Sequence, residues 1–275
     1  MKIGFIDLYL SEWHANHYPE WLKQACPDCE VAYAWAEESV SPVDGRTSGE
    51  WCEAFGVTLC KTAGEVCERS DAIIVLAPSD PQVHLRLAEL VLPYGKPTYM
   101  DKTFAPDTET AAKIFALARK YKTPLFSTSA LRYATETEGD FVKVFTTGGG
   151  RSAEEYLIHQ AEMIVKILGV GAQSVQALPA ADTVTVQVNY ADQRQAGMLY
   201  GAKLPFALSL TDGNGKQEYR PAKSDYFQIL MAKIAAFFQD PTPPVSEEET
   251  MEVMALRQSA LAAIARPGEA VAVSR

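Results

Sequence analysis

Residues 69–80, RSDAIIVLAPSD, contain the feature that most restricts the fold of this chain. Five apolar residues follow one another without interruption at positions 72–76. Such a run predicts a strand that is covered on both faces, as in a parallel sheet between two layers of helices. Shorter apolar segments alternate with amphipathic segments throughout the first half of the chain, and this alternation predicts a doubly wound α/β sheet.

The predicted elements of the first half form a regular series. Predicted strands cover residues 3–6, 31–35, 72–76, 98–100 and 124–127. Predicted helices cover about residues 12–25, 49–55, 63–69, 83–92 and 108–121. The series indicates a Rossmann-type domain over residues 1–130, with ligands expected at the carboxyl ends of its strands.

The second half has a different character. Residues 134–150, ATETEGDFVKVFTTGGG, are polar and weakly periodic, so we place the domain boundary there. A helix over 152–168, several alternating segments and the turn DGNGK predict a smaller α+β domain with an open antiparallel sheet. This shortened second domain covers residues 131–275, and its two predicted C-terminal helices, 226–238 and 246–265, can return to the first domain.

Composition excludes several classes of partner. The chain has 275 residues, 47% of them hydrophobic, and a net charge of −10. The negative charge argues against nucleic acid and anionic membranes as partners. No apolar segment reaches transmembrane length and no signal peptide is recognisable, so we expect a cytoplasmic protein.

Five cysteines include one CxxC pair, Cys26 and Cys29, without a second pair of the same spacing. A zinc or redox site is one interpretation of this pair. Reduced, partly buried thiols are the interpretation we favour for the cysteines.

The turn after the first predicted strand lacks glycine. Dinucleotide-binding sheets usually place glycines here, because the backbone must approach a pyrophosphate closely. This chain has Asp7, Leu8, Ser11 and Glu12 in the turn, and the two carboxylates would repel a phosphate. Either a cofactor binds by a changed route or the turn serves another ligand.

Residues 94–107, YGKPTYMDKTFAPD, place Asp101 and Lys102 directly after a short predicted strand. An exposed lysine at this edge stays charged and can hold an electron-rich oxygen of a ligand. A simple surface ion pair explains the same spacing.

The segment AEEYLIHQAE places Glu155, His159 and Glu162 on one face of a predicted helix. A carboxylate that contacts one imidazole nitrogen leaves the other nitrogen free to accept a proton. The alternative is a purely structural histidine that forms a hydrogen bond with Glu155.

Several of these segments resemble the glucose-fructose oxidoreductase/inositol dehydrogenase (Gfo/Idh/MocA) family. GKPTYMDKTFA is similar to the Glu-Lys-Pro strand end of the family, with Asp101 in place of glutamate and Thr103 in place of proline. AIIVLAPSDPQVHLRLAELVLPYGKP is similar to the preceding strand and helix, with His84 and Ala88 at family positions. ALRY, PPVSEEETMEVMALRQSALAA and GEAVAV follow in the family's order.

The resemblance implies an NAD- or NADP-dependent oxidoreductase that acts on a sugar, cyclitol or related polyol. It assigns catalysis to Lys102 and His159, with Glu155 orienting His159. It implies no metal, and a homodimer or homotetramer formed through the second-domain sheet. The cofactor-binding residues it suggests are Asp7, Leu8, Ser11, Glu37, Ala77, Pro78, Ser79, Asp101 and Lys102.

Other interpretations stay open from the residues alone. The same fold without dinucleotide binding would be a non-catalytic small-molecule-binding or regulatory protein. A cofactor-independent lyase or isomerase could use His159 as base and Lys102 as electrophile. His14 and His17, three positions apart, could form a metal pair, and Arg46 could meet an acidic ligand.

Overall fold

The structure, a computed structural model, describes residues 1–274 and divides them into two units. Unit 1 consists of residues 1–128 and 227–246. Unit 2 consists of residues 129–226 and 247–274.

Unit 1 is built on a six-stranded, entirely parallel sheet. Its strands are β1 (Lys2–Asp7), β2 (Glu30–Ala36), β3 (Thr58–Leu59), β4 (Ala72–Val75), β5 (Thr98–Met100) and β6 (Leu125–Phe126). They lie in the order β3-β2-β1-β4-β5-β6, so the order reverses beside β1. In such sheets the crevice at the point of reversal is the usual ligand site.

Helices connect the strands of this sheet. They are α1 (Trp13–Ala25), α2 (Ser48–Phe55), α3 (Ala63–Arg69), α4 (His84–Val91) and α5 (Thr108–Tyr121). A later helix, α7 (Tyr226–Gln239), adds its residues from Phe227 onward to the same unit.

Burial explains why the central strands were recognisable. All four residues of β4 are buried, as a strand with both faces covered requires. In β1, Gly4 lies so close to α3 that an added Cβ would stand 2.4 Å from Cγ1 of Val66. This glycine therefore permits close packing of α3 on the sheet.

Unit 2 contains a seven-stranded sheet in the order β12-β11-β7-β10-β9-β8-β13. The β7–β10 pair is parallel and the other pairs are antiparallel. Its strands are β7 (Lys143–Gly148), β8 (Ala172–Ala180), β9 (Thr183–Tyr190), β10 (Gln195–Gly201), β11 (Ala207–Thr211), β12 (Gln217–Pro221) and β13 (Ala270–Ala272).

Two helices cover one face of this sheet. They are α6 (Ala153–Leu168), which contacts β7 and β10, and α8 (Glu247–Ala265), which contacts β8. The apolar stripe predicted for residues 157, 161, 164 and 168 is buried in α6. The predicted α/β class, a Rossmann-type parallel sheet with a second α+β part, is therefore confirmed.

Two strands were not predicted. The segment that we interpreted as a polar domain boundary contains β7, an interior strand of the second sheet. Strand β3 is only two residues long, too short to produce a pattern. The second sheet is also mixed and not purely antiparallel, because β7 and β10 run parallel.

The cysteines differ in part from expectation. Cys26 and Cys29 form a disulfide, so the expectation of reduced thiols is wrong for this pair. The other three cysteines, Cys52, Cys60 and Cys67, are free and buried. Residues 1–274 contain no group of three or more metal-ligating side chains arranged to hold a metal ion.

None of the helices within residues 1–274 is both long enough and apolar enough to cross a membrane.

Candidate functional site

The candidate site of unit 1 begins at Asp7, the last residue of β1. Its Oδ1 accepts hydrogen bonds from the backbone N–H groups of Leu8 (2.7 Å) and Ala77 (3.0 Å). Its Oδ2 is buried and has no hydrogen-bond partner among the described residues. Burial, reinforced by the nearby Glu12 carboxylate, holds the pKa of Asp7 well above its usual range. The side chain therefore ties the end of β1 to the residues after β4 instead of leaving space for a phosphate.

Glu12 is the N-cap of α1. Its carboxylate accepts hydrogen bonds from the backbone N–H of His14 (2.8 Å) and from that of Ala15. A helix N-terminus is a natural anion site, since its first N–H groups have no partners within the helix. Here the protein's own carboxylate takes those donors. Burial raises the pKa of Glu12, although His14 and the backbone donors oppose the rise.

Ser11 forms hydrogen bonds that connect a neighbouring loop to the same turn. Its hydroxyl donates to Oδ2 of Asp44 (2.8 Å), and its carbonyl accepts from the hydroxyl of Ser41 (2.6 Å). Arg46, the predicted contact for an acidic ligand, lies in this loop with its Nε 4.0 Å from Asp44 Oδ2. Ser11 is thus a buried structural contact of the turn.

Glu37, one of the suggested cofactor-binding residues, follows β2. Its carboxylate forms a bidentate ion pair with Arg86, and both N–O distances are 2.8 Å. The pair is partly exposed, and the side chain of Glu37 retains 36% of its accessible area. A ribose hydroxyl would have to compete with Arg86 for this carboxylate.

Ala77, Pro78 and Ser79 form the turn after β4. Ala77 has φ of 65°, a left-handed conformation that is uncommon for residues other than glycine. Ala77 and Pro78 are buried, whereas Ser79 is exposed. The ammonium group of Lys102 donates to the carbonyl of Pro78 at 3.4 Å, so the structure brings these two predicted residues together.

Asp101, after β5, lies at the centre of a buried polar cluster. Its Oδ1 accepts from the backbone N–H of Lys102 (2.8 Å) and from the hydroxyls of Tyr99 (3.0 Å) and Tyr18 (3.4 Å). Its Oδ2 contacts Nδ1 of His14. Burial raises the pKa of Asp101, but the charges of His14 and Lys102 with these hydrogen bonds outweigh burial and leave the pKa below its usual value.

The two histidines of α1 face different partners. His14 is buried against Asp101, and Nδ1 of His17 lies 2.6 Å from the carbonyl of Trp13. Nδ1 of each imidazole thus has a partner within the protein. Trp13, Trp21 and Phe227 surround them as an aromatic cluster.

Lys102 itself is buried, with 9% of its area accessible. The sequence prediction of an exposed lysine is therefore wrong, although its position at the carboxyl end of β5 is as expected. Its ammonium group contacts the carbonyl of Pro78, and its charge helps to lower the pKa of Asp101.

In unit 2, His159 lies on α6. Its Nδ1 is 2.6 Å from the hydroxyl oxygen of Ser129, and the rings of Tyr156 and Phe206 lie beside it, with centroids at 5.6 and 5.4 Å. The carboxylate of Glu155 receives two hydrogen bonds from Arg151, at 3.0 and 2.6 Å. The contact that the structure shows at Nδ1 is thus Ser129, where we expected Glu155.

Glu162, the third member of the predicted face, is buried. Its Oε1 accepts from the backbone N–H of Ser129 (3.0 Å) and its Oε2 from Arg132 (3.2 Å). Arg132 also pairs with Glu249 of α8. Glu162 therefore holds the segment that carries Ser129, the partner of His159.

Sequence reasoning missed the roles of several residues. Glu12 gave no capping signal, because Ser, Thr, Asp and Asn are the usual N-caps. The partners His14, Tyr18 and Tyr99 of Asp101 were not associated with it. Ser129 was detectable in principle, since a serine before ALRY is a typical start of a helical turn.

Comparison with known proteins supports the fold. No family model matches the sequence, and no curated protein matches it. Solved structures do match along the whole chain. One is a putative myo-inositol dehydrogenase from Sinorhizobium meliloti 1021, 14% identical, with a TM-score of 0.77 and 100% of both chains covered.

Two further structures show the same likeness. A myo-inositol 2-dehydrogenase from Lactobacillus plantarum is 12% identical, with a TM-score of 0.78 and coverage of 100% of this chain and 99% of the other. GenD2 from gentamicin A biosynthesis, in complex with NAD, is 14% identical, with a TM-score of 0.79 and coverage of 100% and 97%. The chain therefore has the fold of these proteins, which is the fold that the Gfo/Idh/MocA resemblance implied.

Proposed function

We propose that this protein is an oxidoreductase of the Gfo/Idh/MocA type that acts on a CH–OH group of a sugar, cyclitol or related polyol. The observation that carries the proposal is Lys102, a buried ammonium at the carboxyl end of β5, held by the carbonyl of Pro78. The full-length likeness to inositol dehydrogenases supports the same class. Fold alone does not define activity, which depends on the chemistry of individual residues in the site.

Lys102 supplies a positive charge to an alcohol or carbonyl oxygen of the substrate. Such a charge is most effective at a site from which water is excluded. The burial of Lys102 meets this condition.

His159 accepts the proton of the substrate hydroxyl through Nε2. Ser129 lies at Nδ1 and holds the orientation of the ring. The hydroxyl of Ser129 can accept from Nδ1–H, which leaves Nε2 as the basic nitrogen.

A nicotinamide dinucleotide would be the oxidant for this reaction class, and unit 1 fits only part of it. Ala77, Pro78 and Lys102 lie at the sheet edge, where the ammonium of Lys102 contacts the carbonyl of Pro78. The turn from Asp7 to Glu12 does not fit a diphosphate as it stands, because the Glu12 carboxylate takes the N–H donors of α1.

A second candidate function is favoured by the same turn. A protein of this fold that has lost dinucleotide binding would recognise its small molecule without oxidising it. The internal cap by Glu12 and the Arg86 ion pair of Glu37 both favour this alternative, since each engages a group that a dinucleotide would need.

One experiment separates the two candidates. NADH and NADPH are titrated against the protein by calorimetry, and a panel of inositols and aldoses is then incubated with NAD or NADP while reduced nicotinamide is followed by absorbance. Turnover of any member supports the oxidoreductase. A polyol that stabilises the protein thermally, with no dinucleotide binding at millimolar concentration and no turnover, supports the binding protein and overturns the first proposal.

A further inference from the structure

The N-terminus of α1 is an anion site that the carboxylate of Glu12 already occupies. Helix α1 has 13 residues, and its first N–H groups lack partners within the helix. The N–H groups of His14 and Ala15 donate to the two carboxylate oxygens of Glu12, one oxygen each. A carboxylate with two oxygens on two amides has the geometry of a bound phosphate edge.

Glu12 is not an ordinary solvent-exposed cap. Only 7% of its area is accessible, so an external anion cannot share the donors while the side chain stays in place. An incoming diphosphate has to displace the carboxylate as well as find the amides.

The carboxyl groups around Glu12 further disfavour the binding of an anion at this turn. Asp7 and Asp101 each have 1% of their area accessible. In addition to burial, the charge of Glu12 raises the pKa of Asp7, and the charge of Asp101 raises the pKa of Glu12. Oδ2 of Asp7 is buried and has no hydrogen-bond partner among the described residues.

We propose that Glu12 is the specificity-determining residue of this turn, an internal competitor that excludes diphosphate from the N-terminus of α1. The inference deepens the proposed function, since it names the residue that limits dinucleotide binding. It concerns binding to unit 1 and holds or fails independently of turnover.

The test compares dinucleotide affinity in four proteins. Glu12→Asn keeps a good N-cap but is shorter and neutral, so the amides can face a phosphate. Glu12→Gln keeps the length and removes the charge. Glu20→Gln, an exposed position on the same helix, is the control for net charge. Affinity for NADH, NADPH and ADP is measured by calorimetry for each variant and the wild type.

We expect Glu12→Asn to bind NADH at least about tenfold more tightly than the wild type, since one like charge at close range and one steric competitor are removed. Glu12→Gln should gain less, because the amide still covers the donors. Glu20→Gln should stay within about twofold of the wild type, as a distant exposed charge is screened.

Some results would overturn the inference. If Glu12→Asn binds NADH no better than the wild type, including the case in which neither binds, Glu12 is not the competitor. An equal gain in Glu20→Gln would show that only net charge matters. Should Glu12→Asn fail to give a cooperative thermal transition, Glu12→Gln decides, and no gain in that variant also overturns the inference.

The outcome is separable from that of the proposed function. A wild type without turnover, next to a Glu12→Asn variant that gains affinity, would reject the oxidoreductase and keep the inference. A wild type that turns over, with a Glu12→Asn variant of unchanged affinity, would do the reverse.

Discussion

The imidazole of His14 lies against the carboxylate of Asp101, 87 positions further along the chain, and both side chains are buried. The contact joins the first turn of α1 to the end of β5. Tyr18 and Tyr99 donate to the other oxygen of Asp101, so the carboxylate stays charged inside the protein. The edge of the sheet is thus organised by a long-range contact between His14 and Asp101 and not by a glycine turn.

Replacing His14 by alanine should destabilise the protein by about 1–3 kcal/mol, because Oδ2 of the buried Asp101 carboxylate would lose its contact with the imidazole. Urea unfolding at pH 7 measures the loss. The matched control is His17→Ala, which removes a less buried histidine three positions later on the same helix. Equal effects of the two substitutions would contradict the importance of the pair.

The pKa of Asp7 gives a second prediction, with a definite sign. Because burial and Glu12 raise the pKa of Asp7 in the folded state, the group's contribution to stability is fully present below its unfolded pKa and is lost as pH rises through the folded value. Asp7→Asn should therefore be more stable than the wild type at pH 8, and the difference should shrink toward pH 4.

Thermal unfolding between pH 4 and 8 tests this effect, with Asp28→Asn as an exposed control. For a chain of this size each kcal/mol shifts Tm by about 2–4 °C. A constant difference between Asp7→Asn and the wild type across the pH range would argue against the raised pKa.

Lys102→Met and His159→Asn should each reduce turnover by at least about a hundredfold, since general acid–base and charge-stabilising groups contribute factors of this size. The assay is the absorbance of reduced nicotinamide with the polyol that the panel identifies. Circular dichroism and thermal unfolding check that each variant is folded. A folded variant with wild-type turnover would remove that residue from the catalytic assignment.

The partner of His159 can be tested directly. Ser129→Ala should lower kcat about tenfold and shift the acidic limb of its pH profile, because Nδ1 loses the hydroxyl at 2.6 Å. Glu155→Gln should change kcat less, since its carboxylate is engaged by Arg151. A larger loss in Glu155→Gln than in Ser129→Ala would support the role that the sequence suggested for Glu155.

The cysteines should be almost unreactive in the native protein. Burial raises the pKa of Cys52 to about 11 and that of Cys67 to about 12, and it also raises the pKa of Cys60. Iodoacetamide at pH 8 followed by mass spectrometry should label none of them rapidly. In urea the free thiols should react, and labelling of Cys26 and Cys29 should additionally require a reductant.

Local patterns were sufficient for most of unit 1. The apolar run at residues 72–76 corresponds to β4, and the predicted helices at 63–69 and 108–121 match α3 and α5 at both ends. Apolar strands and capped amphipathic helices carry their signal within a few residues, so they can be recognised without knowledge of the fold.

Strand β7 shows why other elements escaped. Thr146 and Gly148 are buried on its inner face beside Val144, and the hydroxyl of Thr146 donates to Gln160 of α6 (2.9 Å). When the inward-facing residues of a buried strand include threonine and glycine, the sequence does not alternate between apolar and polar residues. Its partners come from other elements, so its sequence resembles a loop.

The sequence by itself determined the class of fold, the position of Lys102 after β5 and of His159 on α6, and the absence of glycine after β1. Only the tertiary structure decided that Asp101 pairs with His14 and that Lys102 is buried. It also decided that the buried Glu12 carboxylate accepts hydrogen bonds from backbone N–H groups of α1. The physical reason is that burial and long-range pairing set charge and access. Both arise when distant segments meet in the fold, and neither is encoded in the spacing of neighbouring residues.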